Sequence, residues 1–443
     1  MNKKSQFLIA APSSGSGKTT ITQGLLRYLK NKGLNVQPFK CGPDYLDTKH
    51  HTWAAGNVSI NLDTFMSSKE HVKEIYSKYS SSADVSLVEG VMGLFDGAKK
   101  MEGSSAQIAE LIDIPVILVV NAKATAYSVA PLLYGFKNFY SGINLAGVIF
   151  NFVGSESHYQ FLKDACEDVG ITPLGYVPKN ENIHLPSRHL GLQISDSSEY
   201  DEVIEKIAKH ISKTVDIDEL LHLTKCPVKK NKTYEGKERG KLKISVAKDE
   251  AFNFTYHENL TALEKLGEIT FFSPLKDQQL PATDLLYLAG GYPELYLQEL
   301  SANKNMREAI DKYCSNGGRV LAECGGMMYL STSIIDSDSN EFPMVGYLNQ
   351  KASMENMKLK LGYRKICIDN KICFGHEFHY SKLLHPETEF SIGEIYSARD
   401  KKQDTLLFRK GNTIASYIHF YWGEKNILNI LLENTSEGTT KQV

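Results

Sequence analysis

The chain alternates short, almost unbroken apolar runs with longer stretches in which apolar positions recur every three or four residues. Gln6–Ala10, Val85–Glu89, Pro115–Asn121, Ala146–Asn151 and Pro173–Val177 are of strand length and nearly free of polar interruption. Such runs predict parallel strands buried on both faces. Helical patterns separate them. Lys18–Lys32 sets Ile21, Leu25 and Leu29 on one stripe and stops at Gly33, and a second helix is predicted around Tyr159–Val169. The rhythm halts between Thr224 and Lys243 and then resumes. Lys243–Lys248, Leu285–Ala289 and Val320–Glu323 are predicted as strands, and Asn259–Leu266 and Met306–Ser315 as helices. The β-like runs Tyr363–Ile368, Gly375–Tyr380 and Ile414–Phe420 follow. Alternating strand and helix predicts an α/β fold with doubly wound parallel sheet. Two domains are expected, 1–225 and 242–443, joined by a linker at 226–241.

Composition sharpens this outline. A length of 443 residues exceeds one core of ordinary size. The break from Thr224 to Lys243 holds eight Lys/Arg and two Glu, which reads as a solvated linker, with a nucleic-acid or anionic-membrane arm as the other reading. Over the whole chain, 50 Lys+Arg against 52 Asp+Glu removes the basic excess of a nucleic-acid-binding protein, so no such partner is expected. No segment approaches the roughly 20 apolar residues of a membrane helix, so no membrane partner is expected either. Seven scattered cysteines without a C-x-x-C pair favour neither a disulfide framework nor zinc. With no signal-peptide pattern at the N-terminus, a reducing cytoplasm is the expected compartment.

Two groups of motifs carry candidate chemistry. In the first half, Ala11-Pro-Ser-Ser-Gly15-Ser16-Gly17-Lys18-Thr19-Thr20 follows a predicted strand and opens a predicted helix, the setting of a phosphate-binding loop. Its glycines let the backbone N–H groups turn inward, and the helix N-terminus adds partial positive charge. Lys18 is expected to reach the β- and γ-phosphates and Thr19 to hold Mg²⁺. Pro12 stands where the pattern G-x-x-x-x-G-K-[ST] has its first glycine, and a plain Gly/Ser turn capping a helix is the alternative. Two acidic segments follow, Lys40-Cys-Gly-Pro-Asp44-Tyr-Leu-Asp47 and Leu87-Val-Glu89 through Asp96-Gly97. Carboxylates at strand C-ends can hold Mg²⁺ against a triphosphate, although each could equally form a turn or cap a helix.

In the second half, Val320-Leu-Ala-Glu323-Cys324-Gly325-Gly326 leads from an apolar run into a helix-like run, as in a nucleophile elbow. The helix N-terminus is expected to lower the thiol pKa, and the Gly325 N–H to face an oxyanion. Alone, Cys324 would read as a buried cysteine in a glycine turn. Two further segments change that reading. Gly290 and Gly291 in Leu-Ala-Gly-Gly-Tyr-Pro-Glu offer a second oxyanion donor, and His419 ends an apolar strand. Cys324 and His419 are expected to form a thiolate–imidazolium pair.

Taken together, APSSGSGKTT, FKCGPDYLD, INLDTFM, VEGVMGLFDG, LPSRHLGL, LAGGYPE, AECGGMMYL, GHEFHYS and SYIHF, in this order along almost the whole chain, resemble the cobyrinic acid a,c-diamide synthase family. That family joins a dethiobiotin-synthetase-like P-loop domain to a class I glutamine amidotransferase-like domain. The resemblance implies ATP- and glutamine-dependent amidation of cobyrinic acid or a related tetrapyrrole, with Mg²⁺ accompanying ATP. Cys324 would attack glutamine and His419 would shuttle protons. Lys18 and Thr19 would contact phosphate and Mg²⁺, with Glu89 and Asp44 as further Mg²⁺ ligands. Asp47 and Asp96 would orient the carboxylate under activation. Asn151 would read adenine. Arg188 and His189 would meet the polycarboxylate substrate, unless they are surface residues. Tyr421 occupies the place where many class I amidotransferases carry the third triad member, a Glu, so that member is missing or comes from elsewhere. Ala322 stands where relatives often have Gly. Hydrogenobyrinic acid and nickel sirohydrochlorin are alternative substrates, and the resemblance leaves a homodimer open. A reading of another class is a ParA-like nucleotide switch with a degenerate amidotransferase scaffold.

Overall fold

The computed structural model describes residues 3–180, 197–228, 240–424 and Leu428. The chain divides into two compact units, 1–235 and 236–443.

The first unit is built on strands β1 (Lys3–Ala10), β2 (Val36–Cys41), β3 (Ile60–Leu62), β4 (Val85–Glu89), β5 (Val116–Asn121), β6 (Leu145–Val153), β7 (Thr172–Pro178) and β8 (Lys225–Pro227). Their order is β3-β2-β4-β1-β5-β6-β7, all parallel, with β8 pairing antiparallel to the start of β1. Cys226 and Pro227, expected in the linker, therefore belong to the sheet, where Lys4 pairs with Cys226. Every residue of β4 is buried, as its apolar run predicts, and so is every residue of β2, whose VQPFKC sequence is not an unbroken apolar run. Alternate residues of β1 feed two cores: Leu8 and Ala10 pack on one face, Phe7 and Ile9 on the other. Each fully buried Leu, Ile or Phe side chain here contributes roughly 1.5–3 kcal/mol. Helix α1 (Lys18–Asn31) follows β1 directly, and α2 (Leu46–Ala55) follows β2. Register sets Lys40 of β2 beside Glu89 of β4, and Glu89 beside Ile9 of β1. The loops after three neighbouring strands thus open at one sheet edge, where α/β folds bind ligands.

The second unit contains β9 (Leu242–Ala247), β10 (Gly267–Phe272), β11 (Leu285–Leu288), β12 (Arg319–Glu323), β13 (Ser331–Ile335), β14 (Glu341–Pro343) and β15 (Leu348–Ser353). It continues through β16 (Lys360–Ile368), β17 (Lys371–His379), β18 (Lys382–Leu384), β19 (Glu394–Ser397), β20 (Leu407–Lys410), β21 (Thr413–Ser416) and β22 (Ile418–Phe420). The main sheet runs β10-β9-β11-β12-β21-β20, parallel except for β20. Two four-stranded sheets, β14-β13-β15-β18 and β19-β16-β17-β22, complete it. The single strand expected over Ile414–Phe420 is two. β21 pairs with β12 in the main sheet, and β22 pairs with β17 in another. The break at Tyr417 follows from pairing: Ser416 O is taken by the Cys324 N–H at 2.7 Å, and Tyr417 turns its hydroxyl to Ser381 Oγ at 2.8 Å. Apolar pattern alone does not register such a change of partner.

Candidate active site

The loop after β1 needs its glycines. Gly15 and Gly17 have φ of 79° and 90°, the left-handed region that other residues enter at a cost. A Cβ on Gly17 would also lie 2.0 Å from Asn151 Nδ2. Asn151 backs the loop, donating from Nδ2 to Ser16 O at 3.0 Å, while its Oδ1 accepts the Phe152 N–H. Ser16, buried, donates to Ser13 O. Lys18 heads α1 and donates to Met92 O at 2.6 Å. Asp96 shapes the loop that supplies this carbonyl, since its Oδ2 accepts the Gly93 N–H at 2.9 Å. Thr20 lies half-buried in the first turn of α1.

The strand ends gather a buried charge cluster. Thr19 donates to Glu89 Oε1 at 2.7 Å, and Lys40 Nζ reaches the same oxygen at 2.9 Å and Asp47 Oδ2 at 2.6 Å. His51 Nε2 meets Glu89 Oε2 at 2.6 Å. Burial favours a protonated Glu89, but Lys40, His51 and their hydrogen bonds outweigh it and hold this carboxyl well below its ordinary range. Burial also opposes the Lys40 charge, yet Asp47, Glu89 and Asp44 keep the ammonium above its usual range. Asp44 reaches the cluster through backbone, capping the N–H groups of Leu46 and Asp47 at 3.0 and 2.8 Å. Lys40 and His51 are the members that sequence reasoning did not single out. A lysine inside the apolar strand VQPFKC is the signal that could have found one of them, because a buried cation requires carboxylate partners. The hydroxyl and carboxylate oxygens of Thr19 and Glu89 form a hard donor set that fits Mg²⁺. Among the described residues no group of three or more His, Cys, Asp or Glu could hold a metal alone, so a cation here would share phosphate oxygens. Arg188 and His189 lie outside the described residues.

In the second unit, three loops meet at the C-ends of β11, β12 and β21. Cys324 has φ 46° and ψ −106°, a strained backbone at the junction of β12 and the helix Gly325–Leu330. The neighbouring glycines leave room for this turn. A Cβ on Gly325 would lie 2.7 Å from Pro293 Cδ and 3.1 Å from Gly291 N, and one on Gly326 2.2 Å from Leu288 O. A Cβ on Gly290 would lie 2.1 Å from His419 Cε1. The elbow, the glycine pair and the imidazole are therefore packed into one place. Cys324 Sγ faces Phe378 O at 3.8 Å.

Electrostatics departs from expectation. Burial pushes the Cys324 thiol above its ordinary range, Glu294 adds to the rise, and the hydrogen bond from the Gly325 N–H does not offset them. The helix beyond Cys324 has six residues, too short for its dipole to prevail. Burial also drives His419 down to about 3, with His376 and His379 reinforcing it. Burial thus favours the neutral thiol and the neutral imidazole, against the expected thiolate and imidazolium. Glu323, the residue before the cysteine, is the nearby carboxylate. Its Oε2 is 3.9 Å from His419 Nδ1 and accepts the Tyr287 hydroxyl at 2.8 Å, while Oε1 accepts the Phe420 N–H at 3.0 Å. Sequence reasoning looked for this group after the histidine. The signal it passed over is a glutamate ending the buried run VLAE, where a carboxylate needs donors. A second buried cluster lies behind the site. Glu377 accepts from Arg364 at 2.5 Å, His379 at 2.8 Å and Thr405 at 2.9 Å, and the His379 ring stacks on Tyr417 at 3.6 Å.

Comparisons with known proteins agree with this two-part arrangement. Residues 7–192 match the family described as the CobQ/CobB/MinD/ParA nucleotide binding domain, and residues 243–427 match the CobB/CobQ-like glutamine amidotransferase domain. The chain is 40% identical over 430 residues to the cobyrinate a,c-diamide synthase of Caldanaerobacter subterraneus subsp. tengcongensis, covering 93% of this chain and 94% of that protein. It is 38% identical to the enzymes of that name from Listeria innocua and Picrophilus torridus, covering 95% of this chain and 96% of each relative. With a nucleotide-binding domain, an amidotransferase domain and this likeness running through nearly the full length, the chain belongs to the cobyrinate a,c-diamide synthase family.

Proposed function

We propose that this chain uses ATP and glutamine to convert the a and c carboxylates of cobyrinic acid into amides. The observation that carries the reading is the strained elbow at Cys324, packed with His419 and the Gly290–Gly291 turn beside a glutamate. In the first unit, Gly15, Ser16, Gly17, Lys18 and Thr20 hold the triphosphate, and Asn151 holds the loop and the adenine side. Thr19 and Glu89, with Asp44 nearby, would hold Mg²⁺, which neutralises phosphate charge when bound. A substrate carboxylate oxygen attacks the γ-phosphorus, the bond to the ADP oxygen breaks, and an acyl phosphate forms. Lys40, fixed by Asp47, is the cation that meets this carboxylate, and Asp96 shapes the loop opposite. Arg188 and His189 are assigned to the remaining carboxylates of the macrocycle.

In the second unit, His419 takes the thiol proton as the Cys324 sulfur attacks the glutamine amide carbon. Neutral reactants suit this order, because a neutral imidazole can accept a proton and the charge pair forms only as the bond is made. The N–H groups of Gly325 and of the Gly290–Gly291 turn face the developing oxyanion. Glu323, beside Nδ1, orients the ring. Ammonia leaves with the proton from His419, and water then hydrolyses the thioester to glutamate. Ammonia attacks the acyl phosphate carbon and phosphate departs. The test is mass spectrometry of cobyrinic acid, hydrogenobyrinic acid and nickel sirohydrochlorin incubated with MgATP and either glutamine or ammonia. Wild type is expected to amidate cobyrinic acid with both nitrogen sources and Cys324→Ala with ammonia alone. Retained glutamine-driven turnover in that variant would falsify the nucleophile assignment, and a wild-type chain with no glutaminase activity would point to a nucleotide switch.

A further inference from the structure

The segment Gly290–Glu294 lies around the candidate thiol site. Gly290 lies against the His419 ring, and Gly291 and Pro293 lie against Gly325. Tyr292 packs edge-on against Phe254 at 4.9 Å, and Phe254 in turn lies 6.2 Å from His419. Glu294 follows in the same short turn, Pro293–Leu295. Its Oε2 is shielded from solvent and has no hydrogen-bond partner, and no cation pairs with it among the described residues. Its charge acts on Cys324 and on Tyr417. The other ionisable groups acting on that cysteine, Glu377 and Glu323, are acidic too. A carboxylate oxygen left without a donor in such a place is costly when charged. It would also oppose a thiolate. A cation brought from outside removes both penalties.

We propose that Glu294 is the receptor for the ammonium group of an α-amino acid, and that it makes this thiol site select glutamine over amides lacking that charge. The assignment rests on the glutaminase reading above. Glutamine carries its single cation a few bonds from the amide carbon that the thiol attacks, so one carboxylate beside the nucleophile suffices to recognise it. The pair also supplies the missing partner for Oε2 as a charge-assisted hydrogen bond.

The test compares hydrolysis of glutamine with that of glutaramate, the same amide chain without the ammonium, by the full chain and by Glu294→Gln. A lost hydrogen bond to a charged group predicts a KM for glutamine raised about 10- to 100-fold. With kcat for glutamine and kcat/KM for glutaramate each moving less than about threefold, the loss belongs to ground-state binding of the ammonium. An unchanged kcat/KM for glutaramate, hydrolysed at the same thiol, reports that the second unit of the variant is folded. Equal losses on both substrates, or a fall in kcat at constant KM, would overturn the assignment while leaving the glutaminase reading intact. If Glu294→Gln does not fold, Glu294→Asp must show the same glutamine-specific rise in KM, or the assignment fails. A wild-type chain that hydrolyses no glutamine would sink both readings together.

Discussion

The two candidate sites hold ionisable groups at similar depth and treat them in opposite ways. At the end of β2 and β4, Lys40, Asp47, Glu89 and His51 are buried and joined to one another at 2.6–2.9 Å. Around Cys324 the thiol, His419 and Glu323 are buried too, but each is driven toward its neutral form. The first arrangement suits a site that must receive a highly charged triphosphate without rearranging, since its charges are already fixed. The second suits the proposed thiol chemistry, in which a proton moves, because no standing charge must be unmade before the sulfur would attack. Burial therefore does not decide protonation by itself. The presence of a counter-charge within hydrogen-bond reach does.

The contrast can be broken at several points. The largest effect is expected from Lys18→Ala, which should depress amidation by at least about 10³-fold with glutamine and ammonia alike, since both need the activated carboxylate. A loss confined to glutamine would misplace Lys18. Next, Lys40→Met leaves Asp47 and Glu89 facing each other with no ammonium between them. Denaturant unfolding of the first unit should lose about 3–5 kcal/mol, as when one partner of a buried ion network is removed. An unchanged midpoint would show that the cluster contributes no net stability. A comparable test of the neutral site is Glu323→Gln. This substitution preserves shape and an acceptor for the Phe420 N–H, replaces the oxygen facing the Tyr287 hydroxyl by an amide donor, and should lower kcat for glutamine by roughly 10²-fold while sparing the ammonia route. Equal activity would remove Glu323 from the mechanism.

The smallest expected effect is on pH-dependent stability of the second unit. His376 and His419 fall from 6.5 to about 3 on burial, so below pH 6.5 the unfolded chain binds more protons and stability drops with acid. Glu323 and Glu294 rise from 4.5 to about 8 and about 7, so above pH 4.5 the folded chain holds more protons and stability drops with base. Glu377, held near about 2 against the cost of burial by His379 and Arg364, steepens the loss below pH 4.5. Between pH 4.5 and 6.5 the two pairs oppose each other. Denaturant midpoints should form a plateau there and fall on either side, and Glu323→Gln with Glu294→Gln should flatten the alkaline limb.

Much of this was legible in the residues. The strands read as apolar runs recur with ends shifted by a few residues, because burial on both faces of a parallel sheet leaves an unmistakable pattern. Cys324, His419, Gly290 and Gly325 stood out because a thiol, an imidazole and glycines at strand ends imply chemistry, and the fold packs the segments that carry them together. What stayed hidden depends on partners distant in sequence. Lys40 meets Glu89, 49 positions away, and Phe420 gives its N–H to Glu323, 97 positions away. The split at Tyr417 and the neutral thiol arise the same way, from which sheet a strand joins and how much water a turn excludes. Neither quantity is periodic along the chain.

The break between β21 and β22 has one more consequence. Cys324 extends from the main sheet and His419 belongs to the four-stranded sheet of β22, so the proposed nucleophile and base have separate foundations. Peeling the smaller sheet away would disarm the thiol while the larger one still stood. On the proposed mechanism, glutamine turnover would be a sensor of whether these two layers are docked, and it should fade on warming before far-UV signals of the main sheet begin to change.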